Sequence, residues 1–139
     1  MLKKNHLKDK LNNGQSVIGT WCIIPSPVVT DIICSADLDF IIIDAEHGPI
    51  GFETAQEMVM ACEAREVSPV MRVGSLDEAD ILKALDIGVH GIQIPNVSSV
   101  ADVEKIIKFS KYPPVGNRGF SPFTRAGDYS MSNSTTLTA

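Results

Sequence analysis

The stretch from Phe40 to Gly48 constrains the fold of this chain more than any other. Its first four residues are large and apolar, Asp44, Glu46 and His47 follow within a span of four, and a glycine closes the segment. A continuous apolar run that is rich in β-branched residues is typical of a parallel strand that helices cover on both faces. We therefore predict a buried strand that ends in an active-site loop.

The rest of the chain repeats this order of strand and helix. Apolar runs predict strands at 17–23, 40–43, 69–73 and 91–95, and helical spacing predicts helices after them at about 27–36, 51–66, 77–86 and 98–111. A short amphipathic helix at 2–13 precedes the first strand. Strands that alternate with helices predict an α/β fold with a parallel sheet.

Helical spacing also predicts which side chains face inward. The helix at 27–36 should bury an apolar face formed by Val28, Val29, Ile32, Ile33 and Ala36. In the helix at 51–66, the glutamates at positions 53, 57, 63 and 66 are predicted to face water. We interpret His90, which lies between two glycines, as a loop residue.

Composition restricts the possible partners and the compartment. The net charge is −5 and no basic face is evident, so nucleic acid is not an expected partner. No apolar run approaches the roughly 18 residues of a membrane span, and residues 1–13 lack the apolar core of a signal peptide. Cys22, Cys34 and Cys62 are odd in number and lie in apolar segments, which favours reduced core thiols. We therefore expect a cytoplasmic protein.

Several ionisable side chains follow the predicted strands. In parallel βα architectures the reactive residues lie just past the carboxyl ends of strands, and Asp44, Glu46, His47 and Arg72 occupy such positions. Carboxylates can orient an imidazole and keep it basic enough to abstract a proton, and a guanidinium can bind a carboxylate or stabilise an enolate oxygen. The pattern predicts proton chemistry next to a carbonyl group.

Structural interpretations of the same residues stay open. The Asp-x-Glu-His sequence at 44–47 could cap a helix, and Arg72 could be a structural ion-pair partner. Asp86 lies in the last turn of its predicted helix, where a carboxylate opposes the helix dipole. That local misfit favours a functional role for Asp86.

Six motifs together resemble a known family over residues 11–130. The series is similar to the N-terminal half of the HpcH/HpaI family of class II pyruvate aldolases, which includes 2-dehydro-3-deoxyglucarate aldolase and 4-hydroxy-2-oxoheptanedioate aldolase. The motifs are Gly19-Thr20-Trp21, Asp39-Phe40 leading to Asp44-Ala45-Glu46-His47-Gly48, Met71-Arg72-Val73, Leu85-Asp86-Ile87-Gly88, Ile94-Pro95-Asn96-Val97 and Tyr112-Pro113-Pro114-Val115-Gly116-Asn117-Arg118-Gly119.

The resemblance implies a (β/α)8 barrel of the TIM type. Such a barrel needs at least about 200 residues, so this chain is expected to hold about the first four βα units, as a truncated form. We expect residues 1–130 to form the N-terminal half of the aldolase domain. Residues 131–139 lack any hydrophobic period, and we expect them to be a disordered tail.

The resemblance also implies an activity, a cofactor and partners. Family members reversibly cleave 4-hydroxy-2-oxo acids into pyruvate and an aldehyde, with a divalent metal such as Mg2+, Mn2+ or Co2+. The family's metal ligands are a Glu and an Asp from later strands, so we expect no metal ligand within this chain. Family members form hexamers, which implies a homo-oligomer or a complementing second chain here.

Site residues follow from the same resemblance. His47 would be the base, acting directly or through water, with Asp44 or Asp86 orienting it. Arg72 would hold the pyruvate carbonyl oxygen and stabilise the enolate. Trp21 and Pro95 would join Arg72 in binding the substrate.

Three alternatives for the whole chain stay open. It could be a truncated aldolase fragment without turnover, which folds poorly or associates with itself. It could be the first part of an enzyme whose other half comes from a second polypeptide or lies outside this sequence. It could also be a non-catalytic protein that binds oxo acids or acts as a scaffold. The presence of both His47 and Arg72 favours an aldolase origin, but it does not distinguish between these three alternatives.

Overall fold

The computed structural model describes residues 4–130 of the 139-residue chain. Four parallel strands form one sheet in the order β1-β2-β3-β4, and a helix follows each strand, which confirms the predicted α/β fold. The predicted tail at 131–139 lies outside the described residues. The strands are β1 Gly19–Cys22, β2 Phe40–Asp44, β3 Ser68–Arg72 and β4 Gly91–Gln93, and the helices are α1 His6–Asn12, α2 Pro27–Cys34, α3 Phe52–Ala64, α4 Glu78–Asp86 and α5 Val100–Ser110, followed by a 3-10 turn at Asp128–Ser130.

Several of the helices begin at residues whose side chains cap free backbone N–H groups. Ser26 accepts from the backbone N of Val29 at the start of α2, and Pro27 is the first helical residue. Asp77 caps α4, and Ser99 and Asp102 form a reciprocal capping box at α5. Gly88 follows the end of α4 with a φ of +87°, a conformation that glycine adopts without strain. Local sequence therefore fixes where α2, α4 and α5 begin.

One face of the sheet packs against the helices. Ile41, Ile43 and Met71 are fully buried there, together with residues of α3 that include Met58 and Val59. The other face carries Phe40, Ile42 and Val70, which are only partly buried. The prediction that β2 is covered on both faces is therefore wrong for the described chain, because the described helices that follow the strands pack against a single face.

The predicted inward face of α2 is also wrong in part. Thr30 and Cys34 are the buried residues of this helix, whereas Val28 and Ile32 are 67% and 64% exposed. The apolar spacing did not identify the buried side of α2, because this helix is apolar around most of its circumference. The sheet contacts only one stripe of it. The helix thus presents a second apolar stripe to the outside.

Two further predictions concern the whole chain. Cys22, Cys34 and Cys62 are all free and buried, as the sequence predicted. Across residues 4–130 the longest helix, α3, has 13 residues, and none of the helices has the length and apolar character required to cross a membrane.

Candidate active site

A buried ion pair joins the carboxyl ends of β2 and β3. Asp44 and Arg72 are partners in the strand register, so their side chains leave the sheet side by side on one face. Arg72 donates from Nε to Asp44 Oδ1 at 2.9 Å and from Nη2 to Oδ2 at 2.6 Å. The side chain of Asp44 is 3% exposed and that of Arg72 is 18% exposed. This two-point contact fixes the guanidinium in one orientation.

Asp44 also shapes the loop that follows β2. Its Oδ1 accepts from the backbone N of Glu46 at 3.0 Å and from that of His47 at 3.3 Å. The loop then turns so tightly that a Cβ on Gly48 would lie 2.3 Å from the carbonyl oxygen of Asp44, which requires glycine there. The sequence Asp-x-Glu-His-Gly thus builds a compact loop around one carboxylate.

The loop brings two more ionisable side chains to Arg72. Glu46 Oε2 lies 3.1 Å from Arg72 Nη1, and Glu46 Oε1 lies 3.9 Å from His47 Nε2. The His47 side chain is 73% exposed, so the imidazole is open to solvent. The ionisable residues predicted after β2 and at the end of β3 are therefore in one cluster, and Glu46 is its central link.

Neighbouring strands complete the surroundings of Arg72. The guanidinium carbon lies 4.5 Å from the centre of the Trp21 ring on β1, a cation–π contact. Gln93 is the register partner of Arg72 on β4, so it lies on the same face. Pro95 follows β4 by two residues, at the same end of the sheet. The sequence carried little signal for Gln93, because the predicted strand at 91–95 places it mid-strand, whereas the observed β4 ends at this residue.

Electrostatics keep the central pair ionised. The hydrogen bonds from Arg72 hold the pKa of Asp44 below its ordinary value, and they outweigh burial, which acts in the opposite direction. The same contact with Asp44 raises the pKa of Arg72 above its ordinary value. At neutral pH the cluster therefore holds a fixed cation that two carboxylates contact.

Asp86 does not join this cluster in the described chain. It is the last residue of α4, and it accepts from Arg118 Nη2 at 2.7 Å. The guanidinium carbon of Arg118 in turn lies 4.7 Å from the centre of the Tyr112 ring. The misfit of a carboxylate at a helix C-terminus is thus compensated by Arg118, and within this chain Asp44, not Asp86, contacts the His47 loop.

A second polar cluster lies toward the amino ends of the strands, and the sequence did not reveal it. His90 Nδ1 is 3.3 Å from Ser68 Oγ, and His90 Nε2 is 3.4 Å from Glu63 Oε1. Glu63 also forms an ion pair with Arg125, and its side chain is only 5% exposed. The prediction of a solvated Glu63 is therefore wrong, because long-range packing buries its side chain. His90 does lie in a loop, between α4 and β4, as predicted, but its side chain is only 10% exposed.

The described residues do not by themselves suit a divalent metal. Within residues 4–130, no three His, Cys, Asp or Glu side chains converge as a possible metal-binding set. The carboxylates nearest to the cluster, Asp44 and Glu46, both contact Arg72. A divalent cation would therefore require ligands from other residues.

Comparison with known proteins places this chain in a family. A model of the HpcH/HpaI aldolase/citrate lyase family matches residues 18–139. The chain belongs to this family. A pyruvate aldolase of Rhizobium etli is 38% identical over 90% of this chain and 49% of its own length. A 5-keto-4-deoxy-D-glucarate aldolase of Escherichia coli is 33% identical over 88% of this chain and 48% of its own length.

Solved structures of family members share the fold. The HpcH/HpaI aldolase of Desulfitobacterium hafniense superposes with a TM-score of 0.87 at 32% identity, over 95% of this chain and 51% of its own. The citrate synthase SbnG superposes with a TM-score of 0.81 at 38% identity, over 92% of this chain and 51% of its own. The chain thus spans about half the length of the relatives that it matches, and its four parallel strands correspond to half of a TIM-type barrel.

Proposed function

We propose that this chain supplies the enolising half of an aldolase that interconverts a 4-hydroxy-2-oxo acid with pyruvate and an aldehyde. The observation that carries this proposal is the cluster of Asp44, Arg72, Glu46 and His47 at the carboxyl ends of β2 and β3. Relatives named pyruvate aldolase and 5-keto-4-deoxy-D-glucarate aldolase support the same reaction class.

The proposed chemistry is enolisation followed by carbon–carbon bond formation. His47 takes a proton from C3 of pyruvate, directly or through water, and the electron pair of that C–H bond moves toward the C2 carbonyl oxygen. Arg72 donates hydrogen bonds to this oxygen and stabilises its negative charge. C3 of the enolate then attacks the aldehyde carbon, the π electrons of the aldehyde C=O bond move to its oxygen, and that oxygen takes up a proton to become the 4-hydroxyl group. Cleavage follows the same steps in reverse.

The other residues of the site position His47 and Arg72. Asp44 fixes the Arg72 guanidinium and holds the backbone of the His47 loop. Trp21 covers the guanidinium, and Pro95 lies at the same end of the sheet, where it can contact the oxo acid. Asp86 contacts Arg118 in this chain, so it could orient a His47 only in a neighbouring chain.

The proposal includes a divalent metal, whose ligands would lie outside the described residues. When bound, Mg2+, Mn2+ or Co2+ would act as a Lewis acid. Ligands for it would come from outside this cluster, supplied by a complementing chain or by another copy in a homo-oligomer. The roles given to His47 and Arg72 do not depend on which of these sources supplies it.

Exchange of the C3 protons of pyruvate for deuterium tests the proposed enolisation. We expect NMR to show exchange with the purified chain and added Mg2+, and we expect His47→Ala to abolish it while the fold is retained. His6→Ala is the matched control, because His6 lies in α1, which contacts the amino end of β3 through Leu7 and Ser68. Equal exchange rates in the parent and His47→Ala chains would contradict the role of His47.

A non-catalytic oxo-acid-binding protein is the second candidate. The chemistry of the cluster favours it, because Arg72 already contacts both nearby carboxylates, Asp44 and Glu46, and within residues 4–130 no three possible metal ligands converge. A folded chain that binds pyruvate but shows no deuterium exchange, with or without Mg2+, would support this second function. EDTA-sensitive exchange would exclude it.

A further inference from the structure

Glu46 contacts the part of the Arg72 guanidinium that other residues leave open. Asp44 accepts from Nε and Nη2, and the Trp21 ring lies over one face at 4.5 Å. Glu46 Oε2 lies 3.1 Å from the remaining nitrogen, Nη1. Nη1 is the guanidinium nitrogen that Asp44 does not contact, so a ligand oxygen that accepts from Nη1 meets the Glu46 carboxylate there.

The two carboxylates on Arg72 are held very differently. Asp44 makes a two-point contact, accepts from two backbone N–H groups and is 3% exposed. Glu46 makes one contact with Arg72, lies on the loop after β2 and has a side chain that is 17% exposed. Displacing Glu46 breaks one ion pair at a site open to solvent, whereas displacing Asp44 would leave a buried carboxylate without its partner. Of the two, Glu46 is the one that a ligand can replace.

Charge favours the same exchange. Asp44, Glu46 and Arg72 together carry one net negative charge, so an anionic oxo acid that bound beside both carboxylates would add a second. If the Glu46 carboxylate swings away from Arg72, that repulsion falls. His47 Nε2 lies 3.9 Å from Glu46 Oε1, so Glu46 has a second polar neighbour besides Arg72.

We propose that the Glu46 side chain competes with the oxo acid for Arg72. In the ligand-free chain its carboxylate occupies Nη1 of Arg72, and the ligand's oxygen displaces it on binding, so Glu46 sets the affinity of the site. No covalent bond forms or breaks in this step; one hydrogen-bond acceptor replaces another. The inference depends on the assignment of Arg72 as the group that binds the oxo acid in the proposed function.

The Glu46→Gln substitution tests the inference because it keeps the shape of the side chain and removes the charge that competes for Arg72. NMR titration of the 139-residue chain with pyruvate is expected to show a Kd about threefold to tenfold lower than that of the parent. Glu57→Gln is the matched control, since Glu57 is an exposed carboxylate on α3. The Kd of this variant for pyruvate should equal that of the parent.

Two further measurements separate displacement from a general charge effect. Arg72→Lys should weaken pyruvate binding, and adding Glu46→Gln to it should give no gain. In the parent chain, pyruvate should shift the backbone amide resonances of Glu46 and His47 more than that of Glu57. This second readout does not require any variant to fold.

The outcomes distinguish this inference from the proposed function. If Arg72→Lys weakens binding while Glu46→Gln and Glu57→Gln share the parent's Kd, or if saturating pyruvate leaves the Glu46 and His47 amides unshifted, Glu46 is not a displaced ligand and the role of Arg72 stands. If Arg72→Lys leaves the Kd unchanged, or neither the parent nor Glu46→Gln binds pyruvate, both proposals are overturned.

Discussion

Asp44 is the residue on which the geometry of the candidate site depends. One carboxylate accepts from the Arg72 guanidinium and from the backbone N–H groups of Glu46 and His47. It therefore orients the proposed oxyanion-binding group and the loop of the proposed base at the same time. Because the side chain is buried, removal of its charge leaves a buried cation without a full partner.

Asp44→Asn should lower the free energy of unfolding by about 2 kcal/mol, the cost of weakening a buried, charge-assisted pair. Urea denaturation followed by circular dichroism measures this change. Asp31→Asn is the matched control, because Asp31 makes a similar two-point contact with Arg65 on the exposed surface. A much smaller loss is expected there, and equal losses in both variants would show that the Asp44 pair contributes no more than a surface pair.

Acid should remove the difference between the parent and Asp44→Asn chains. The pKa of Asp44 is lower in the folded state than in the unfolded state, so its contribution to stability is present above the unfolded value of about 3.9 and is lost as pH falls through the folded value. The difference in unfolding free energy between parent and variant should therefore shrink progressively as the pH falls from about 5 to below the unfolded value and on through the lower folded value. A difference that stays constant over this range would mean that Asp44 carries no shifted pKa.

At the scale of elements, β2 has two faces with different packing. Ile43 points to the helices and is fully buried, whereas Ile42 points to the opposite face and is only partly buried. The open face also carries Asp44 and its partner Arg72. The same strand therefore supplies the core on one side and the candidate site on the other.

Ile43→Ala should cost about 2 to 5 kcal/mol of unfolding free energy, because it leaves a cavity between the sheet and the helices. Ile42→Ala removes the same atoms from a surface without a covering layer in the described chain, so its cost should be clearly smaller. Thermal or urea unfolding of both variants provides the comparison. Equal costs would indicate that something covers the Ile42 face in solution.

The whole molecule presents apolar surface at both edges of its sheet. Near β1, Ile18, Ile24 and the α2 residue Ile32 are at least half exposed, and on the β4 side Val100 of α5 is 76% exposed. The relatives are about twice as long, which accounts for a sheet of four strands where a closed barrel has eight. Unpaired strand edges with apolar flanks promote association.

Ile32→Lys should weaken self-association of the chain, because it places a charge on the exposed apolar stripe of α2. Analytical ultracentrifugation over a range of concentrations measures the effect. Val115→Lys is the control, since Val115 is 68% exposed, as Ile32 nearly is, but lies in the loop after α5 and not on α2. If both substitutions changed association equally, the α2 stripe would not be the contact surface.

The sequence by itself determined the order of strands and helices and most of the candidate site. Apolar runs and capping residues such as Ser26 and Asp77 act within a few positions of the chain, so they can be identified without tertiary contacts. The association of Asp44, His47 and Arg72 followed from the rule that parallel strands end at a common edge, although their contacts did not.

Only the tertiary structure determined which ionisable side chains contact each other. Arg118 rather than His47 contacts Asp86, and Glu63 is buried beside His90 and Arg125, because residues far apart in the chain meet there. The central position of Glu46 likewise depends on how the loop folds back onto Arg72. Periodicity reports which side of a helix is apolar, whereas burial and ion pairing depend on what packs against that side; this is why Val28 and Ile32 are exposed despite their spacing.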